Sequence, residues 1–135
     1  ALRRDGTVWT WGGNRYGELG DGFTDNRTTP HQARGLTDVA AVTAGARYTV
    51  ALRRDGTVWT WGANYYGQLG DGTLVRRLTP VQARGLTDIA FVSAGGGCTV
   101  ALGRDGAVWV WGSNAYGQLG IPRAFSTEPV RAGKP

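Results

Sequence analysis

Short apolar segments lie on either side of the Asp-Gly pairs at residues 5–6, 55–56 and 105–106. Around Asp55-Gly56 these segments are rich in β-branched and aromatic residues, and such a pair between strand-like segments predicts a hairpin with a two-residue turn. The expected opposite pairs are Arg54 with Thr57, Leu52 with Trp59, and Val50 with Trp61. We therefore predict that Val50, Leu52, Trp59 and Trp61 project from one side of the hairpin.

The hairpin belongs to a longer internal repeat. Residues 1–50 and 51–100 are identical at 35 of 50 positions without a gap, and the series continues from residue 101 to about residue 120. Each unit carries the motif Gly-x-Asn-x-Tyr-Gly-x-Leu-Gly after its second strand, and the three glycines predict a tightly turned loop. Two further strands are expected near residues 80–83 and 89–92, which makes four strands in each unit.

Four short antiparallel strands in about 50 residues are typical of a propeller blade. We predict an all-β fold, a partial β-propeller of about three four-stranded antiparallel blades in a single domain over residues 1–135. The units are residues 1–50, 51–100 and 101–135, and the last unit is incomplete. A glycine-rich solenoid is the alternative fold, but the turns of a parallel β-helix would be much shorter than this unit.

Several motifs resemble those of a known family. Residues 61–70, Thr79-Pro80 and the stretch Val92-Ser93-Ala94-Gly95 resemble the regulator of chromosome condensation repeat. The resemblance implies a piece of a seven-bladed propeller, and among the members' functions only protein binding is common to most. It also implies that two full units and a partial one cannot close a ring. We therefore expect a fragment of a longer chain, or self-association through the end blades.

The formal net charge of +5 comes almost wholly from arginine. Arginine suits contacts with phosphates or carboxylates, but it also covers apolar surface with its stem, so a binding role and a structural role both stay open. No apolar stretch approaches the roughly 20 residues of a membrane helix, and we expect no membrane contact.

The sequence offers little material for catalysis. The turn aspartates recur once per unit and should be spread around a ring, so they cannot pair as an acid and a base. His31 is the only histidine and Cys98 the only cysteine, and neither has a recurring partner. We expect no enzyme activity, no metal and no cofactor.

The positions at which the units differ are the remaining candidates for function, since variable loops on a rigid propeller suit recognition. We predict a protein-interaction scaffold that binds a macromolecular partner, most plainly a protein, through these loops. Chromatin or nucleic-acid binding and guanine-nucleotide exchange on a GTPase are the alternatives. Arginine and tyrosine are favoured at interface centres. The predicted contact residues are Arg15, Arg47, Tyr48, Arg76 and Arg77.

Overall fold

The computed structural model describes residues 1–133, and within them the chain forms ten β-strands. In chain order the strands are β1 (Trp9–Gly12), β2 (Arg27–Gln32), β3 (Val39–Gly45), β4 (Tyr48–Arg53), β5 (Val58–Gly62), β6 (Arg77–Gln82), β7 (Ile89–Gly95), β8 (Cys98–Gly103), β9 (Val108–Ser113) and β10 (Phe125–Arg131).

The strands group into three antiparallel sheets. In residues 1–133 the first sheet contains β1 and β2, the second runs β3-β4-β5-β6, and the third runs β7-β8-β9-β10. The predicted all-β architecture with four-stranded units is confirmed. Each four-stranded sheet, however, takes its first strand from one repeat unit and its last two from the next, and the strand between them crosses the boundary of the units. In residues 1–133 the sheet with the fewest strands is therefore the first sheet, although the incomplete repeat unit of the sequence is the last unit.

The predicted register of the hairpin is wrong by one residue. Leu52 pairs with Val58, and Ala51 pairs with Trp59. The turn holds three residues rather than two, because the amide of Gly56 donates to the carbonyl of Arg53 and Gly56 has a φ of 82°. This geometry is a turn followed by a left-handed residue that forms a bulge, which glycine adopts without strain.

The corrected register places the aromatic and aliphatic side chains on opposite faces of the second sheet. Trp59 and Trp61 share one face with Ala51, and that face packs against the first sheet. Val50 and Leu52 lie on the other face, in the cluster that reaches the third sheet. Both faces are buried between neighbouring sheets, as a propeller blade requires.

A buried tryptophan joins each four-stranded sheet to the preceding sheet. Trp61 and Trp111 are both 0% exposed, and the indole N–H of Trp61 donates to the carbonyl of Glu18 over 2.9 Å. Trp111 donates to the carbonyl of Gln68 over the same distance. Gly70 lies against Trp111, and a Cβ atom there would be 2.7 Å from the indole nitrogen. The last glycine of the Gly-x-Asn motif is therefore required by this packing.

The loops of the Gly-x-Asn motif are held by a buried asparagine. The side chain of Asn64 is 1% exposed; its oxygen accepts from the amide of Leu69, and its nitrogen donates to Asp71 and to the carbonyl of Thr73. Asn14 makes the corresponding bonds in the first unit. Because these bonds cross the loop, they fix the backbone that carries the variable residues.

Candidate functional site

Two loops and one hairpin turn meet at one end of the first and second sheets. The turn between β3 and β4 carries Arg47, and the loop after β1 carries Tyr16. The Cζ atom of Arg47 lies 5.0 Å from the centroid of the Tyr16 ring. The loop after β5 adds Tyr65, whose ring stands nearly perpendicular to that of Tyr16 with 5.8 Å between centroids. The three segments therefore form one continuous surface.

Two more arginines complete this surface. The Cζ atom of Arg15 lies 5.9 Å from the centroid of the Tyr16 ring. Arg76 extends across from the second unit and donates to the backbone carbonyl of Arg15 over 3.3 Å. We call the five residues Arg15, Tyr16, Arg47, Tyr65 and Arg76 the arginine–tyrosine patch.

The three arginines of the patch form no ion pair within the part of the chain that the structure describes. Seven other arginines pair there with aspartate or glutamate. The loop after β1 also carries Glu18, Asp21 and Asp25; the carboxylate of Glu18 accepts from the amide of Tyr16 over 2.7 Å, and Asp21 is paired with Arg27. The patch is therefore an exposed concentration of positive charge around aromatic rings, a combination suited to carboxylates or phosphates.

Tyr48 does not belong to this surface, and its prediction as a contact residue is corrected. Its side chain is 0% exposed, and its hydroxyl donates to the carbonyl of Cys98 over 2.6 Å. Burial raises the pKa of Tyr48 to about 12, although a hydrogen bond with Thr99 opposes that shift. The ring fills the space between the second and third sheets, so its role is to pack the two blades together.

Arg77 has a structural partner. Its Nε donates to the carboxylate of Asp71 over 2.7 Å, and Arg27 binds Asp21 in the same way one unit earlier. Burial alone would raise the pKa of Asp71, but bonds from Thr73 and Arg77 outweigh it and lower the pKa. The structure thus assigns Arg77 a role in holding its loop. A contact between Arg77 and a partner stays a prediction.

The structure brings together three of the five predicted residues, Arg15, Arg47 and Arg76, and their contact with a partner stays a prediction. It adds Tyr16 and Tyr65, which the sequence analysis did not select. Tyr16 does not vary between the units, since each unit carries a tyrosine there, and a comparison of differences passes over it. Tyr65 stands where the first unit carries Arg15, and the same comparison of units could have identified it.

Other reactive groups do not form a site. His31 has its Nδ1 atom 2.9 Å from the backbone carbonyl of Thr29. Burial raises the pKa of the Cys98 thiol. In residues 1–133 no three histidine, cysteine or acidic side chains are placed to hold a metal ion, and no helix is suited to crossing a membrane.

Known proteins share both the sequence pattern and the fold. The model of the regulator of chromosome condensation (RCC1) repeat matches residues 5–52, 55–102 and 105–133. A second model of the same repeat matches residues 39–68 and 89–118. Together these matches cover most of the chain and include every strand of the two four-stranded sheets.

Three solved structures illustrate the likeness. Human WBSCR16 is 23% identical, with a TM-score of 0.86 over 98% of this chain and 36% of its own. Prp20p from Saccharomyces cerevisiae is 21% identical, with a TM-score of 0.86 over 99% of this chain and 36% of its own. In the structure of Kap60 bound to yeast RCC1 (Prp20), the matching chain is 25% identical, with a TM-score of 0.85 over 100% of this chain and 33% of its own. The chain spans about a third of the proteins that it matches.

Proposed function

The chain belongs to the regulator of chromosome condensation (RCC1) repeat family, and we propose that it is a protein-interaction module whose arginine–tyrosine patch binds an acidic protein segment. One observation carries this proposal. Arg15, Arg47 and Arg76 come from three separate segments; the first two lie beside the Tyr16 ring, Arg76 reaches the carbonyl of Arg15, and none of the three forms an ion pair in residues 1–133. Unpaired arginines around tyrosine rings are the composition that protein interfaces favour.

The rigidity of the loops supports a binding role. The Asn14 and Asn64 side chains cross-link the loops that carry Arg15 and Tyr65, so these residues are positioned before a partner arrives. The guanidinium groups of Arg15 and Arg47 also lie near the Tyr16 ring, which restricts their motion. Preorganisation lowers the entropic cost of association, and the acidic partner would gain charge-assisted hydrogen bonds.

Relatives of the chain support a protein as the partner. Prp20p is described with binding to Gsp1p and histones, and yeast RCC1 (Prp20) is described as bound by Kap60. These are statements about proteins of which this chain spans about a third. They favour the class of partner, a protein, and not its identity.

We propose no catalytic step for the patch. Its five members are arginines and tyrosines, without a histidine or a carboxylate, and Glu18 in the same loop holds the Tyr16 amide through one oxygen. A general base needs a free proton acceptor beside the reacting group.

The patch can be tested with a fluorescein-labelled oligoglutamate peptide and fluorescence anisotropy. We expect Arg15→Gln, Arg47→Gln and Arg76→Gln each to weaken binding about two- to fivefold, the worth of an exposed ion pair. Arg4→Gln is the matched control, because it removes the same charge from an exposed Asp-Gly turn outside the patch. If Arg4→Gln lost as much peptide affinity as the patch variants, net charge alone would explain the binding, and the proposed site would be refuted.

Nucleic-acid binding is the second candidate, because the same unpaired arginines and the +5 charge also suit phosphates. A labelled DNA duplex distinguishes it. Affinity would fall steeply as the salt concentration rises. Each lost phosphate contact would reduce the slope of log affinity against log salt concentration by about one. A slope unchanged by Arg47→Gln would exclude the patch as a phosphate site. For the exchange-factor interpretation we can assign no loop that faces a GTPase, and it stays a prediction.

We also propose self-association through the face of the third sheet. Phe91, Leu102 and Val108 are 59%, 38% and 38% exposed on this face. Leu52 and Val58, the counterparts of the last two in the second sheet, are buried against the neighbouring sheet. Light scattering after size-exclusion chromatography tests this, and a monomer that persists at high concentration would contradict it.

A further inference from the structure

The ring of Tyr66 is uncovered, whereas its counterpart in the first unit is not. Tyr16 and Tyr66 hold the same position in the repeat, and both backbone amides are bound by the side chain two residues later. The guanidinium of Arg47 lies over the Tyr16 ring at 5.0 Å. Tyr66, by contrast, is 49% exposed. The first unit therefore shows that a planar group can rest on the ring at this position.

The difference arises from the hairpin turn of the next sheet. The turn reads Ala46-Arg47 between β3 and β4, and Gly96-Gly97 between β7 and β8. Arg47 has a φ of 68° and Gly97 a φ of 91°, so both turns hold this position in the left-handed region. A Cβ atom on Gly97 would lie 3.4 Å from Cδ2 of Tyr66. A side chain at residue 97 would thus reach the Tyr66 ring, and glycine leaves the ring open.

Charge decides which group an external ligand would place there. A partner's guanidinium would approach a chain of net charge +5, and the carboxylate of Glu18 near Tyr16 is replaced by the neutral Gln68 near Tyr66. An exposed cation–π contact is weak, so a cationic group of a partner would gain little from this ring. An uncharged aromatic side chain gains stacking without repulsion from the net charge.

We propose that Tyr66, beside the Gly96-Gly97 turn, is a second subsite that stacks an aromatic side chain of the acidic segment held by the arginine–tyrosine patch. This inference rests on the proposed function. Tyr65 connects the two subsites, because it directly precedes Tyr66 in the chain and its ring centroid lies 5.8 Å from that of Tyr16. The partner segment would therefore carry a tryptophan, tyrosine or phenylalanine a few residues from its acidic positions.

The test compares two labelled oligoglutamate peptides that differ only in one tryptophan or one alanine. We expect the tryptophan peptide to bind the wild-type chain about three- to tenfold more tightly, the range of one aromatic pair. Tyr66→Ala should reduce this ratio to about one. Gly96→Ala/Gly97→Arg copies the turn of the first unit, covers the ring and should do the same. Because both peptides carry the same charge, the ratio of their affinities does not depend on the charge that the new arginine adds.

The control is Gly96→Asn, since asparagine tolerates positive φ and a Cβ atom at residue 96 meets nothing within 4 Å, so the ratio should stay at its wild-type value. Equal binding of both peptides to the wild-type chain would overturn this inference and leave the proposed function intact. Binding of neither peptide would overturn both. A labelled oligothymidine whose binding falls with Tyr66→Ala, while the peptide ratio stays unchanged, would replace the aromatic side chain with a nucleobase and overturn the inference as stated.

Discussion

Replacing Tyr48 with phenylalanine removes one hydroxyl from the interface between the second and third sheets. That hydroxyl donates to the carbonyl of Cys98 over 2.6 Å, while the Thr99 hydroxyl next to it has a shorter bond to Gln68 than to Tyr48. The substitution therefore mainly deprives the Cys98 carbonyl of a donor. Losing this hydrogen bond inside the packed interface costs about 1–2 kcal/mol.

The expected loss can be converted into a melting temperature. An unfolding entropy of about 2.1 cal/mol/K per residue gives about 0.28 kcal/mol/K for a chain of this length. Tyr48→Phe should therefore lower the melting temperature by about 4–7 °C, measured by tryptophan fluorescence or calorimetry. Tyr66→Phe is the control, because its exposed hydroxyl should change stability by less than about 0.5 kcal/mol.

The same substitution changes the dependence of stability on alkaline pH. Burial raises the pKa of Tyr48 from 10.0 to about 12, so the folded state favours the neutral phenol. Its contribution is fully present below pH 10 and is lost between pH 10 and 12, at about 1.4 kcal/mol per pH unit. Urea unfolding should show a steeper alkaline loss for wild type than for Tyr48→Phe. Unchanged stability together with weaker partner binding would refute the packing role and restore Tyr48 as a contact residue.

Two other substitutions test the packing of the blades. Arg77→Gln leaves Asp71, whose side chain is 3% exposed, with the bonds from Asn64 and Thr73 alone; we expect a loss of about 1–2 kcal/mol in urea unfolding, and Arg76→Gln should leave stability nearly unchanged. Gly70→Ala places a Cβ atom 2.7 Å from the Trp111 indole and should cost more than Gly120→Ala, which has a similar φ and no neighbour within 4 Å; equal melting temperatures would refute the tryptophan–glycine contact.

The residues that build strands and turns could be predicted because their information is local. The Asp-Gly pairs, the glycine-rich motif and the apolar, β-branched and aromatic segments identified hairpins, loops and four-stranded units. The chemistry of a turn acts over three or four residues, and a repeat displays it several times. The exact register was missed, since it depends on whether Gly56 is a turn residue or a bulge, and the Asp-Gly pair is compatible with both.

The candidate site was predicted only in part. Comparing the units selected Arg15, Arg47 and Arg76, but the same comparison selected Tyr48, which varies between units although it is buried between the second and third sheets. Variation within a repeat reports both surface freedom and changes in core packing. Burial separates the two, and burial depends on which sheets meet.

The sequence by itself determined the all-β repeat and its strands, because local patterns within each 50-residue unit encode them. A comparison of the units also identified the arginines that vary between them. Only the tertiary structure decided which sheets share strands from two units, and which arginines meet. Arg15 and Arg76 are 61 positions apart, and they touch because Trp61 binds the second sheet to the loop of the first. A contact between distant residues depends on how sheets pack, and no local pattern encodes that.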